Sequence, residues 1–447
     1  MLFINLSHPH PFVFYYDSGQ YWEFSRYFVK DGAFSLLSFD NPLRGYLFPF
    51  LLFSIRKMAF WIGVADYVFY EVVMSLVYTT FLVIIIPLLV QKLITIKVNF
   101  LQIVGFSLLT IFFWKGSFFY PLSDLFAFIS MIMGVFLIVK FKGRWWQLLF
   151  AGLFWGGAAL IRPIYAVTLP FLVLWSLYFY KREDPLVRWQ STAGRLIALI
   201  VGLTTVLAPQ FAINKINFGV STPFVLTKVD GPSLFVQQLN WGIKIQKYET
   251  NIGKTYPSAS VYFFDKQGEN ILLKSESQPV TLRDYIILVV NYPLDFLTMY
   301  ARHLFNGLDV VYNSTYVENV YENGLVIRLL NYSLWFLIIN SIGYIHKVKA
   351  RNILDHKFLF LGISCLPSIM SIPTAIEVRF MLPIQIMAYA LVSFWILPKY
   401  FSKSKERKAQ ILRELVLPYI TFIVFCFILS ANTYAGLQYG PYILTGN

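Results

Sequence analysis

Ten apolar runs, each near the roughly 20 residues needed to cross a bilayer, limit what this chain can fold into. They cover 66–91, 98–114, 118–139, 146–161, 163–180, 194–213, 325–345, 357–374, 379–398 and 412–431. The stretch 46–62 is also apolar but carries Arg56 and Lys57. It reads as a helix lying in the membrane interface, or else as a distorted eleventh span. Hydrophobic residues make up 57% of the 447 and charged residues only 13%. A water-soluble fold of this length has no interior large enough for that much apolar surface, whereas lipid accepts it. The expected fold is an all-α polytopic membrane protein with about 10–11 transmembrane helices.

The short loops set an orientation. Lys92, Lys97, Lys140, Lys142, Arg144, Lys181, Arg182, Arg188, Arg195, Lys347, Lys349, Arg351, Lys357, Lys399, Lys403, Lys405, Arg407, Lys408 and Arg413 all fall on one side of the ten-span arrangement. The alternating loops carry only Lys115, Arg162 and Arg379. Cytoplasmic loops are the cation-rich ones, so the first set is expected inside the cell. The net charge of +14 is then mostly topological, and no nucleic-acid partner is expected. Cys365 and Cys426 lie far apart inside apolar runs, and the five histidines are scattered. Neither pattern supplies a disulfide framework or a metal-ligand spacing.

Four segments follow: an external first loop (1–65) with amphipathic and interfacial helices, and an N-terminal bundle of six spans (66–213). An extracytoplasmic loop domain of mixed structure (214–324) and a C-terminal bundle of four spans (325–447) complete the chain. No apolar span precedes residue 15, and a leading helix upstream is expected to carry the first loop across the membrane. Within the loop domain 259–264 is β-like, and 282–310 reads as one or two amphipathic helices around Asn291-Tyr292-Pro293. Tyr300, Arg302 and His303 there face either lipid headgroups or a cavity. A loop this long is usually functional.

Candidate chemistry begins at residues 15–49. Asp17 is followed by Gln20, and Tyr21, Phe24, Ser25 and Phe28 recur at helical spacing. This predicts a short amphipathic helix with a capping-box start and Asp17 at its N-cap. An acid in that place commonly satisfies backbone N–H groups and does nothing more. The wider pattern argues for more. Asp124 sits at the outer end of the third span, Arg162 at the turn between the fourth and fifth, and Glu377 and Arg379 at the outer end of the ninth. Each alone is explained by snorkelling or by contact with lipid phosphate. Together, two carboxylates (Asp17, Asp124) and two guanidiniums (Arg162, Arg379) suit transfer from a lipid-linked phosphate donor. Guanidinium forks match a phosphodiester and stabilise a departing phosphate, while a carboxylate takes the proton of an attacking hydroxyl.

These residues carry a family resemblance. An external acid and aromatic helix (Asp17 to Tyr27) precede Arg44-Gly45-Tyr46, and Asp124 follows Pro121. Gly-Gly-Ala-Ala-Leu-Ile-Arg-Pro occupies 156–163, and Arg-Phe-Met-Leu-Pro occupies 379–383. The set resembles the GT-C superfamily of polytopic glycosyltransferases, near the bacterial relatives of protein O-mannosyltransferases and lipid A aminoarabinose transferases. The resemblance covers roughly 15–210 and 325–400. It implies a GT-C-like fold in a bacterial inner or plasma membrane and a polyprenyl-phosphate-linked sugar donor. It further implies a glycan, lipid or protein acceptor, inversion at the anomeric carbon, and an extracytoplasmic active site. Asp17 maps onto the catalytic or acceptor-positioning acid and Asp124 onto a second external acid. Arg162 and Arg379 map onto phosphate contacts. Arg44, Tyr21, Glu377, Arg302 and His303 complete the candidate substrate-binding set. Membrane lipid is a further partner; no cofactor is specified, and a divalent metal ion is left open. The alternatives are an O-antigen polymerase or ligase, relying on Arg302 and His303 more than on Asp17, and a lipid or glycan transporter. A transporter predicts midplane charges or repeated halves, neither of which is visible.

Overall fold

The computed structural model describes residues 14–94, 97–141, 144–183, 189–226, 232–253, 260–275, 278–322, 324–348, 356–402 and 404–438. Among them six helices are long and apolar enough to cross a membrane: Asp66–Leu93, Phe100–Phe118, Ser123–Phe141, Ala193–Phe218, Val378–Phe401 and Lys408–Ala435. Trp145–Ile161, Pro163–Phe179, Leu325–Ser341 and Leu359–Ser371 are apolar helices of shorter length. These ten helices coincide in position with the ten apolar runs. Several of the loop cations, among them Lys142, Arg188, Lys349, Arg351 and Lys403, lie outside the described residues.

The described residues fall into two compact units. One is drawn from within Met1–Ser107, Ser117–Val229 and Asn352–Pro367, the other from within Leu108–Gly116, Asp230–Arg351 and Ser368–Asn447.

The first unit opens with α1, Tyr16–Phe24. Asp17 is not its N-cap. Tyr15 takes that position in extended geometry (φ −97°, ψ 149°), without a side-chain cap. Gly19 N–H already donates to the Tyr15 carbonyl, so the helix is under way before Asp17. Asp17 therefore lies in the first turn, where its charge still complements the helix dipole. Ser18, Tyr21, Ser25 and Phe28 are buried at helical spacing, although the last two lie on a 3-10 turn. A hairpin follows, β1 (Val29–Lys30) paired antiparallel with β2 (Ala33–Phe34). Its two-residue turn needs positive φ at both positions, supplied by Asp31 (51°) and Gly32 (79°). Next, α2 (Leu47–Ile62) ends at Gly63, whose left-handed backbone (φ 75°) lets Val64 N–H reach the Ala59 carbonyl. The chain then enters α3 (Asp66–Leu93).

The centre of this unit is α5 (Trp145–Ile161), packed between α4 (Ser123–Phe141) and α6 (Ala193–Phe218). Towards α4, a Cβ at Gly134 would meet Trp155 Nε1 at 2.4 Å, and that indole donates to the Met131 carbonyl. Towards α6 the backbones touch. A Cβ on Gly152 would stand 2.2 Å from the Leu199 carbonyl oxygen, and one on Gly202 would stand 2.0 Å from that of Leu149. Small residues let membrane helices approach this closely, and Gly152 and Gly156 form a GxxxG pair on α5.

The second unit holds α7 (Leu234–Lys244), β3 (Ile245–Asn251), β4 (Ser260–Phe264), α8 (Lys266–Ser275), α9 (Leu282–Asn291) and α10 (Pro293–Leu308). With β5 (Tyr316–Val317) and β6 (Leu437–Gln438) the strands make a four-stranded sheet in the order β5-β3-β4-β6. The β3–β5 pair is parallel, and the β3–β4 and β4–β6 pairs are antiparallel. Pro293, lacking an N–H, opens α10 where α9 ends. Leu239, Ile243, Ile271, Tyr285, Leu288, Phe296 and Met299 form the core beneath these helices.

Candidate functional site

In the first unit, five of the candidate residues form one connected string. Arg44 Nη2 lies 4.0 Å from Asp17 Oδ1, and its guanidinium sits 5.8 Å over the Tyr21 ring. The Tyr21 hydroxyl donates to Ser123 Oγ at 3.2 Å. Ser123 opens α4 and is followed by Asp124, whose carboxylate pairs with Arg162. Local structure explains each placement. Tyr21 is on the buried face of α1. Arg44 precedes Gly45, whose Cβ would stand 2.1 Å from the Leu160 carbonyl oxygen, so no side chain fits there. The Arg44-Gly45-Tyr46 segment therefore lies on the end of α5, two residues before Arg162. Tyr46 N–H donates to Gln210 Oε1 and its hydroxyl to the Val206 carbonyl, which ties the same segment to α6. Arg162 itself is extended (φ −143°, ψ 109°) between α5 and the 3-10 turn Pro163–Thr168. The residue before proline favours that conformation.

The two carboxylates differ. The Asp124 side chain is 8% exposed and engaged by Arg162, whereas the Asp17 side chain is 36% exposed. Asp17 is thus the more accessible of the two acids, beside Arg44, and Asp124 is placed to hold a guanidinium. A partly exposed carboxylate beside the Arg44 guanidinium can accept a proton and bind an oxyanion.

The other four candidates belong to the second unit. Arg379 Nε donates to Glu377 Oε2 at 2.6 Å, and the Glu377 side chain is 3% exposed. Arg302 donates through Nε and Nη2 to Asp265 Oδ2 and through Nη1 to Gln267 Oε1. Asp265 also accepts from the N–H groups of Gln267 and Gly268 at the start of α8. Arg302 is therefore built into the fold of this unit. His303 is fully buried. Its Nδ1 lies 2.7 Å from the Ile372 carbonyl, an acceptor only, so Nδ1 carries the proton. Nε2 is left buried without a hydrogen-bond partner among the described residues. His303 is thus closed off from the surface, while the Arg302 side chain stays partly exposed.

Burial lowers the His303 pKa from 6.5 to about 4, overcoming the hydrogen bond to Ile372. Below pH 6.5 the unfolded chain takes a proton that the folded chain refuses until about pH 4. Stability is therefore expected to fall with pH through that window, by up to ~3 kcal/mol. Above it His303 adds no pH dependence. The apparent unfolding temperature measured from pH 7.5 to 4.5 checks this, and His303→Gln is expected to flatten the profile. An unchanged slope in the variant would assign the acid sensitivity elsewhere.

The second unit also encloses a polar cluster that sequence reasoning missed. Lys247 Nζ lies 3.0 Å from Glu249 Oε1, with side-chain exposures of 1% and 6%. The Lys247 ammonium also reaches the Asp309 carbonyl at 3.5 Å. The Asp309 carboxylate accepts from the Tyr332 and Ser430 hydroxyls, each at 2.7 Å. Burial pushes the Glu249 pKa up against the pull of Lys247. The signal available in the sequence was the i, i+2 spacing of Lys247 and Glu249, which puts both on one face of β3. The Asp31-Gly32 hairpin and the GxxxG pair on α5 were legible but unread. Among the described residues no group of three or more His, Cys, Asp or Glu is arranged to hold a metal ion.

With its apolar helices of membrane-spanning length, the chain is a helical integral membrane protein. No family model, curated protein or solved structure matches it.

Proposed function

We propose that this membrane protein is a glycosyltransferase of GT-C-like architecture. It moves a sugar from a polyprenyl-phosphate-linked donor to an acceptor hydroxyl on the extracytoplasmic face of a bacterial inner or plasma membrane. All ten apolar helices are membrane-embedded in this reading. The observation that carries it is the connected string Asp17–Arg44–Tyr21–Ser123–Asp124–Arg162 in one compact unit. Asp17 takes the proton of the acceptor hydroxyl as its oxygen attacks the anomeric carbon. The bond from that carbon to the phosphate oxygen breaks on the opposite face, which inverts the centre. Arg44 and Arg162 stabilise the charge on the departing polyprenyl phosphate, and Asp124 orients Arg162. Arg302 and His303, on which a polymerase or ligase would rely, are respectively held by Asp265 and enclosed in protein. That favours the transferase.

The test is transfer of radiolabelled sugar from polyprenyl-phosphate-sugars by membranes carrying wild type or Asp17→Asn. Asn is similar in size but cannot act as a base. A fall of about 10²–10⁴-fold with unchanged thermal stability is expected. Full activity in the variant would reduce Asp17 to a helix-terminal charge, and no transfer by wild type from any such donor would reject the reading.

A further inference from the structure

An open groove of about 510 Å³ lies in the first unit between the 3-10 turn after α1 and the C-terminal half of α2. Arg26, Arg56, Lys57, Phe53, Phe60 and Asp66 are among its lining residues. We propose that it binds the phosphodiester of an anionic phospholipid of the surrounding bilayer.

Depth, charge and apolar exposure each support that occupant. Asp66 is the first residue of α3, a helix of membrane-spanning length, so the groove opens where a span ends. That is the level of the lipid headgroups. The three cations face a single lining carboxylate, Asp66. Arg56 is fixed in place: its Nε donates to Asp66 at 3.0 Å, its Nη1 to Ser25 Oγ at 2.8 Å, and it stacks 5.0 Å over Trp22. Among the described residues Arg26 pairs with Glu23 alone, and the two are exposed at 61% and 56%, so that pair is weak. Lys57 is exposed, lies 5.7 Å over the Phe53 ring and has no ion-pair partner among the described residues. The groove thus presents one rigid cation and two adjustable ones to an anion. Beside it the end of α2 leaves Phe60, Trp61 and Ile62 exposed, the first two by 77% and 78%. Aromatic rings at a span end suit the acyl boundary of a bilayer. A molecule with an anionic phosphate and aliphatic chains satisfies both parts, and phospholipid is the abundant one at that depth. This inference does not depend on the glycosyltransferase reading.

The test is native mass spectrometry of the full-length protein in detergent, titrated with phosphatidylglycerol or with phosphatidylcholine of the same chains. Wild type is expected to retain phosphatidylglycerol preferentially. The double variant Arg26→Gln/Lys57→Gln is expected to lose roughly 30-fold in phosphatidylglycerol affinity, with phosphatidylcholine unchanged. Both side chains are exposed, so the variant folds, and the charge-keeping Lys57→Arg is expected to retain binding. Equal retention of the two lipids by wild type, or no difference between wild type and the double variant, would overturn the proposal. So would displacement of phosphatidylglycerol by an equal concentration of polyprenyl phosphate with loss of both in the variant. That result would give the groove to a lipid-linked phosphate.

Discussion

Lys247→Met is expected to destabilise the protein by about 3–5 kcal/mol, the usual consequence of leaving one charge of a buried pair without its partner. The Glu249 carboxylate would stay inside, 6% exposed, with Asp309 adding a second negative charge nearby. Glu249→Leu strands the ammonium instead and is expected to cost a comparable amount, softened by the Asp309 carbonyl. The double variant Lys247→Met/Glu249→Leu is the informative one. Removing both charges in favour of apolar groups of similar volume is often neutral or stabilising, so most of the loss should return. Thermal unfolding of the three purified variants checks this. If the double variant is as damaged as the sum of the singles, the pair is not an isolated charge couple. It would then be part of the wider network through Asp309, Tyr332 and Ser430, with each member needed.

The second large effect is expected at the crossing of α5 and α6. Ordinary overpacking in a core costs about 1–3 kcal/mol because flexible side chains give way. At Gly202 and Gly152 the obstacle is backbone carbonyl oxygen at 2.0 Å and 2.2 Å from the added Cβ, and helix backbone does not yield locally. Gly202→Val is therefore expected to exceed that range and to separate α6 from α5. Because α5 also carries Leu160 against Gly45, the separation should spread to the Arg44 segment and its contact with Asp17. Fluorescence-detected size-exclusion chromatography after a heat challenge reads the stability loss. Gly105→Ala is the control, since nothing lies within 4 Å of a Cβ there. A Gly202→Val protein as heat-resistant as that control would show that the helices do not meet at these glycines.

Much of this molecule follows from local pattern. The apolar runs give the helix positions because lipid-exposed backbone must satisfy its own hydrogen bonds, and a helix does so within one segment. Pro293 marks the start of α10 because proline has no N–H to donate, and the β-branched and aromatic run at 260–264 is a strand. Even Asp17, Tyr21, Arg44, Asp124 and Arg162 were legible as candidates, since ionisable groups at span ends are few. The N-cap assignment of Asp17 failed because backbone geometry at Tyr15, not the Asp-x-x-Gln pattern, starts the helix. Periodicity tells which residues share a face of an element, but not what covers that face. Only the tertiary structure decided that Tyr21 reaches Ser123 from 102 positions away and that Asp124 is engaged by Arg162 while Asp17, beside Arg44, is the more exposed acid. It also decided that Arg302 belongs to Asp265, that His303 is enclosed, and that the polar face of β3 points inward. Each of these is a contact between segments distant in sequence, where packing and desolvation set the chemistry of a group whose identity is local.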